Sequence, residues 1–130
     1  MRTLTNVFKA LSDETRLQML SLLFKKGELC VCDFIEVLEI TQSKASRHLR
    51  HLVNAGLLDD RREASWVYFR LPDKPEPAQA KVLKMLPAVL SDRVPMALFE
   101  RLEEWIETKQ YADSCNEPLT KKASKRGGKR

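Results

Sequence analysis

Long apolar runs are missing from this chain. Nothing in its 130 residues approaches the roughly 20 consecutive apolar positions that a helix needs to cross a bilayer, which excludes a membrane-spanning role. The N-terminus also lacks a charged and then apolar signal with a cleavage site, so a cytoplasmic protein with no membrane partner is expected. Cysteine is scarce and odd in number. There are three, and Cys30 and Cys32 stand one residue apart, a count that fits a reducing compartment and metal or redox chemistry rather than a disulfide framework. The constellations of catalysis are missing as well: no Cys-x-x-Cys, no paired general acid and base, no glycine loop to cradle a phosphate, no histidine beside the thiols. An enzyme is not expected.

Acidic residues are absent between Glu39 and Asp59, and that gap lies where the chain carries its most organised pattern. Thr41 is placed to cap a helix, Ile40 before it can staple onto Ala45, and Gly56 supplies a left-handed stop. At 100° per residue, Ala45, Leu49, Leu52, Val53 and Ala55 gather on one side of this helix. Ser43, Arg47, Arg50 and Asn54 gather on the other, flanked by Lys44, Ser46 and His51. Phe34, Ile35, Val37 and Leu38 make a short apolar helix just before it, with only Glu39 and Ile40 for a turn, which is helix-turn-helix spacing. Alone, the polar face would be an ordinary solvated surface. Behind a first helix and a tight turn it becomes a reading surface: Gln42, Ser43 and Ser46 toward base edges, Lys44, Arg47 and Arg50 toward phosphates or guanine, with His51 beside them. Double-stranded DNA is the partner that such a surface fits.

Charge supports this placement. Residues 113–130 hold six basic and two acidic side chains, so most of the net +5 belongs to that segment, while Lys44 to Arg62 holds five basic against two acidic. The chain divides accordingly into a DNA-binding and dimerisation domain, residues 1–112, and a basic tail, residues 113–130, expected to be disordered.

The remaining segments read as support. Thr3 to Ala10 is a short helix, and Ser12 is expected to cap a second one with an acidic first turn (Asp13, Glu14), a basic last turn (Lys25, Lys26) and Gly27 as its stop. Leu57 to Arg62 and Trp66 to Leu71 read as a hairpin wing, with Arg61 and Arg62 as its DNA contacts, diluted by Asp59, Asp60 and Glu63. Its tip lacks the Gly or Asn of a two-residue turn. Pro77 can open the next helix, which Pro87 should kink or end, and a last helix after Pro95 carries the stripe Met96, Phe99, Leu102, Trp105 and Ile106. These apolar faces serve either core packing or a dimer seam. The fold class is mainly α with a β-hairpin wing (α+β), a winged helix-turn-helix.

Cys30 and Cys32 precede the first reading helix, where a helix N-terminus lowers thiol pKa and favours the thiolate that binds soft ions. On a straight helix, positions i and i+2 point about 200° apart, so shared coordination requires a bent or unwound first turn. The alternative use of such residues is as small buried hydrophobes. Cys115 is the other thiol, free to fold back within its subunit, to reach across a dimer, or to do neither.

These residues together make the chain resemble the ArsR/SmtB family of bacterial winged-helix metal-responsive repressors, from about Val7 to Leu71. The likeness is carried by Phe8-Lys9-Ala10-Leu11-Ser12-Asp13-Glu14-Thr15-Arg16, by Glu28-Leu29-Cys30-Val31-Cys32-Asp33, by Thr41-Gln42-Ser43-Lys44-Ala45-Ser46-Arg47-His48-Leu49 and by Trp66-Val67-Tyr68-Phe69-Arg70-Leu71. The resemblance implies a homodimer, with the terminal helices as its seam, that represses an operon from its operator DNA and lets go when an ion binds. Cys-Val-Cys is similar to the motif of arsenite and antimonite sensors, which implies trivalent arsenic or antimony as inducer and no organic cofactor. Those sensors carry a third Cys three positions after the second, where this chain has Ile35, so Cys115 is the candidate third ligand, with a two-thiol site completed by solvent or a small thiol as the other option. Cadmium and lead sensors add cysteines near the N-terminus, and none precedes Cys30; zinc sensors use His on the last helix, and none follows His51. The expected function is repression of an arsenic-resistance operon. The alternative is a winged-helix regulator that responds to thiol oxidation or to another soft metal such as cadmium.

Overall fold

The computed structural model describes residues 1–112. Helix α1 (Arg2–Leu11) leads into α2 (Glu14–Lys26) through two residues. Asp13, not Ser12, caps α2: its backbone is extended and its Oδ2 accepts from the Arg16 N–H at 3.0 Å. Ser12 instead donates to the Lys9 carbonyl at 2.8 Å, closing α1. A carboxylate gains from the helix dipole as well as from the capping bond, which favours the aspartate of the two neighbours. Met19, Leu20, Leu22 and Leu23 are all buried, so α2 is enclosed on most sides, touching α1, α4 and α5. Gly27, at φ +86°, ends it.

The next elements are β1 (Glu28–Cys30), α3 (Val31–Leu38), α4 (Gln42–Asn54), β2 (Asp59–Glu63) and β3 (Trp66–Arg70). The strands form one antiparallel sheet in the order β1-β3-β2. The wing hairpin is as expected, with Glu63 paired to Trp66 and a two-residue turn in which Ala64 takes the left-handed position at φ +57°. Strand β1 is the addition. It pairs Leu29 with Phe69 and Cys30 with Tyr68, so the wing is fastened to the segment that carries the thiols.

Helix α5 (Pro77–Leu90) begins at Pro77 and continues past Pro87 to its end, so the proline does not terminate it at residue 86. Helix α6 (Met96–Ala112) packs on α3. Phe34, Leu49, Leu52, Leu57 and Leu102 are fully buried in a common core between the layers. Of the two uses foreseen for the terminal helices, α6 spends Leu98, Leu102 and Trp105 on core packing within the chain. Leu4 and Phe8 on α1, Met85 and Val89 on α5, and Met96 remain exposed. No helix among the described residues is long and apolar enough to cross a membrane. The basic tail, with Cys115, lies outside the described residues.

The end of α4 is held from α5. Gln79 is buried and donates through Nε2 to the Ala55 carbonyl at 3.1 Å, while Gly56 turns the chain at φ +79°. A Cβ on Gly56 would stand 2.9 Å from that same amide nitrogen. Gly56→Ala is therefore expected to destabilise the fold by about 1–3 kcal/mol, from left-handed strain plus displacement of the Gln79 bond. Thermal melts of the two proteins at equal concentration measure it, and an unchanged midpoint would refute the close approach.

Candidate functional site

Thr41 caps α4 as expected, its Oγ1 accepting from the Lys44 N–H at 3.1 Å. This cap, with Ala45, Leu49 and Leu52 buried, fixes which side of the helix faces outward. Gln42, Ser43, Lys44, Ser46, Arg47, Arg50 and His51 are all exposed. Gln42, Ser46, Arg47, Arg50 and Arg62 line a groove of about 420 Å³ between α4 and the wing, together with Trp66 and Val31. Ser43 accepts from Arg47 Nη1 at 3.2 Å at the edge of this face. Such a trough, with amide and hydroxyl donors near the helix start and guanidinium groups on both walls, suits a phosphate backbone with bases beside it.

Two of the expected cations are engaged inside the protein. Arg50 pairs with Asp60 at 3.1 Å. Arg61 lies away from the groove, on Glu28 of β1 through two bonds at 2.9 and 3.0 Å, on Glu63, and over the Tyr68 ring at 4.6 Å. The hydrogen bond from Arg61 holds the Glu28 carboxyl below its usual range. Arg61 thus ties β1 to the wing, and Arg62 is the wing residue of the two that reaches the groove.

A further clamp seats the back of α4. Arg16 donates to the carbonyls of Ala10 and Lys9 at 2.7 and 3.2 Å and to His48 Nδ1 at 3.0 Å, which places the imidazole proton on Nε2. Burial lowers the His48 pKa, Asp13 at 3.8 Å opposes this, and Arg16, Lys44 and Arg47 reinforce it. Because the folded value lies below the ordinary 6.5, the unfolded chain takes up this proton first. Stability from His48 is full above about pH 6.5 and declines as pH falls below it, by less than about 1.4 kcal/mol per pH unit, the limit for one proton. Melting curves from pH 7.5 to 5.5 should show a decline that is smaller in His48→Gln; parallel declines would exclude the histidine as its source. Asp13 titrates lower. Burial raises its pKa, but the Arg16 backbone bond and nearby His48 and Arg16 charges outweigh that, so it stays ionised across this range.

The thiols meet at the junction of β1 and α3. Cys30 is the last residue of β1 and the N-cap of α3, with extended backbone at φ −91° and ψ 166°, and Cys32 is in the first helical turn. Their sulfurs are in disulfide contact, with Cα atoms 5.4 Å apart. The bent or unwound helix that the spacing seemed to demand is unnecessary, because the strand-to-helix corner does the bending. A bond closing so short a loop restrains little of the unfolded chain, so the pair is not a structural framework. Both cysteines are buried, packed with Tyr68 of the wing, and Val31 between them lines the groove between α4 and the wing.

Asp33, not singled out by pattern reasoning, completes this corner. It is 1% exposed; Oδ2 accepts from the Cys30 N–H at 2.8 Å, and Oδ1 accepts from Trp105 Nε1 at 2.8 Å and Lys109 Nζ at 2.6 Å. Cys30, Cys32 and Asp33 offer ligand atoms within 4.8 Å of one another. Once reduced to thiolates, the two sulfurs are the soft donors a soft ion prefers, while both carboxylate oxygens are already occupied by N–H groups. Donors that do fit a thiophilic ion are therefore present as a pair.

Comparison with known proteins agrees with this geometry. Residues 13–60 match the family described as bacterial regulatory protein, arsR family. The chain is 44% identical over 110 residues to the arsenic resistance transcriptional regulator ArsR1 of Pseudomonas putida, covering 84% of each. It is 52% identical over 65 residues to the arsenical resistance operon repressor of Escherichia coli K12, covering 50% of this chain and 56% of that protein. Among solved structures, a homodimeric winged helix-turn-helix DNA-binding domain from Mycobacterium bovis superposes with a TM-score of 0.58 at 28% identity, over 72% of this chain and 83% of that one. The chain belongs to the ArsR family of bacterial regulatory proteins, winged helix-turn-helix transcription factors that bind DNA and are not enzymes.

Proposed function

We propose that this protein is a dimeric repressor of an arsenic-resistance operon, held on double-stranded operator DNA by Gln42, Ser43, Lys44, Ser46, Arg47, Arg50, His51 and Arg62, and released when trivalent arsenic or antimony joins Cys30 and Cys32. The observation that carries the reading is the meeting of two buried sulfurs at the corner where α3 begins and to which strand β3 of the wing is paired. Val31 supports the link, since a residue enclosed between the two ligands is also part of the groove wall. The names of the arsenic-resistance relatives point to the same metalloid chemistry, and the homodimeric neighbour supports a pair of chains. The exposed Leu4, Phe8, Met85 and Val89 are the apolar surface that a second copy would cover. Cys115 is the proposed third thiol.

The test is fluorescence anisotropy of the full chain on DNA from upstream of its own gene. Salt-dependent binding lost on addition of arsenite is expected. Cadmium should release weakly at the same concentrations.

The same sulfur contact favours one second reading, thiol oxidation. A peroxide would take two electrons and two protons from the thiols, form the Cys30–Cys32 bond and leave as two waters. Release by peroxide with none by arsenite under reducing conditions would exchange the two readings.

A further inference from the structure

Asp33 carries more connections than a cap requires. We propose that it is the positioning residue that makes α6 part of the sensing machinery: through Trp105 and Lys109 it couples the state of the thiol pair to the last helix. The proposal rests on the reading of Cys30 and Cys32 as an inducer site and deepens it.

The geometry is specific. One carboxylate joins three separate segments. Its Oδ2 holds the backbone N–H of Cys30, the residue whose extended conformation brings the sulfurs together. Its Oδ1 holds the indole of Trp105 and the ammonium of Lys109, four residues apart on one face of α6. At the other end of α3, Arg101 pairs with Glu39 at 2.9 Å, so α6 runs beside α3 with a contact at each end. The two contacts differ in kind. Arg101 and Glu39 are exposed and bind loosely, whereas Asp33 is buried and its charge is balanced by Lys109, which fixes the geometry of all its partners. Any movement of the Cys30 backbone on coordination must move the carboxylate or break a bond to it. Either change is delivered to Trp105 and Lys109. A carboxylate serving only to cap α3 would need the Cys30 bond alone.

Two substitutions separate this role from a structural one. Trp105→Phe keeps the aromatic bulk and removes the indole donor. Asp33→Asn with Lys109→Met removes both charges together, so that no buried charge is left unpaired. In the full-length protein, arsenite binding is followed by the ultraviolet absorption of sulfur–arsenic bonds, and DNA affinity is measured with and without arsenite. The wild type should show about a 100-fold ratio between the two affinities, within the usual range of coupling. Both variants should bind arsenite and, without it, bind DNA within about threefold of wild type, yet show a ratio below about tenfold. Lys109→Arg, which keeps the charge, should retain most of the ratio. Variants that bind arsenite and release DNA as the wild type does would overturn the coupling while leaving the sensor reading intact. Arsenite that neither binds nor releases the wild type would overturn both.

Discussion

In Cys32→Ser, arsenite is expected to leave the DNA complex intact at concentrations about 100-fold above those that should dissolve the wild-type complex, while affinity for DNA without arsenite should stay within about threefold. The asymmetry follows from where Cys32 stands. It faces Cys30 and Tyr68 inside the corner, away from the exposed face of α4, so its replacement changes none of the residues proposed to hold DNA. Serine matches its size but offers a hard hydroxyl in place of a thiolate, and one of the two soft donors disappears. The buried hydroxyl costs on the order of 1 kcal/mol of stability, too little to unfold the chain. Anisotropy titrations of both proteins in the same reducing buffer decide the matter. Release of the variant at wild-type arsenite concentrations would remove the thiol pair from the mechanism.

Phe34→Ala is expected to lower the melting midpoint by about 12–20 °C, a loss of roughly 3–5 kcal/mol. Phe34 is the largest of the fully buried side chains on α3, whose neighbours include α4, α6 and β1. Removing the ring leaves a cavity bordered by several elements that each make other contacts, so the void cannot close by moving one of them. Because the total stability of such domains is 5–15 kcal/mol, this single change takes a large share of it. Melts must be compared at equal protein concentration, since association raises the apparent midpoint. A drop under about 5 °C would mean that α3 adjusts freely and is not the hub of the core.

The helix-turn-helix and the wing were legible in the sequence because their signals are local. Thr41, Gly56 and the 3.6-residue pattern between them delimit α4 within a residue or two, and the alternation from Trp66 to Leu71 marks β3. The sensor corner was legible in its residues but not in its shape. Three residues, Glu28 to Cys30, are too few to show a period, and they form a strand only because β3, some forty positions later, presents an edge. Without that strand the thiols look like helical neighbours on opposite sides. Asp33 hid for a related reason, since its partners Trp105 and Lys109 are far away in sequence, and Trp105 reads on its own as part of an apolar stripe. At the start of α2, Ser12 was expected as the cap and the adjacent Asp13 takes that place, because the dipole favours the carboxylate. The terminal helices carried apolar residues enough for either purpose. Pattern cannot say that Leu98, Leu102 and Trp105 of α6 turn inward while Leu4 and Phe8 of α1 and Met85 and Val89 of α5 are left in solvent.

The bond from Gln79 to the Ala55 carbonyl acts as a ruler. It joins the end of the reading helix to α5, the element that presents Met85 and Val89 outward. In a two-fold pair built on that apolar surface, this buried amide would act with the shared core to set each reading helix relative to the symmetry axis. The separation of the two helices must match one turn of duplex, about 34 Å, for both to enter the major groove on one side. A shortening of this side chain by one carbon, Gln to Asn, would change the measure at both ends at once, so the operator spacing that such a variant prefers reports directly on the length of residue 79.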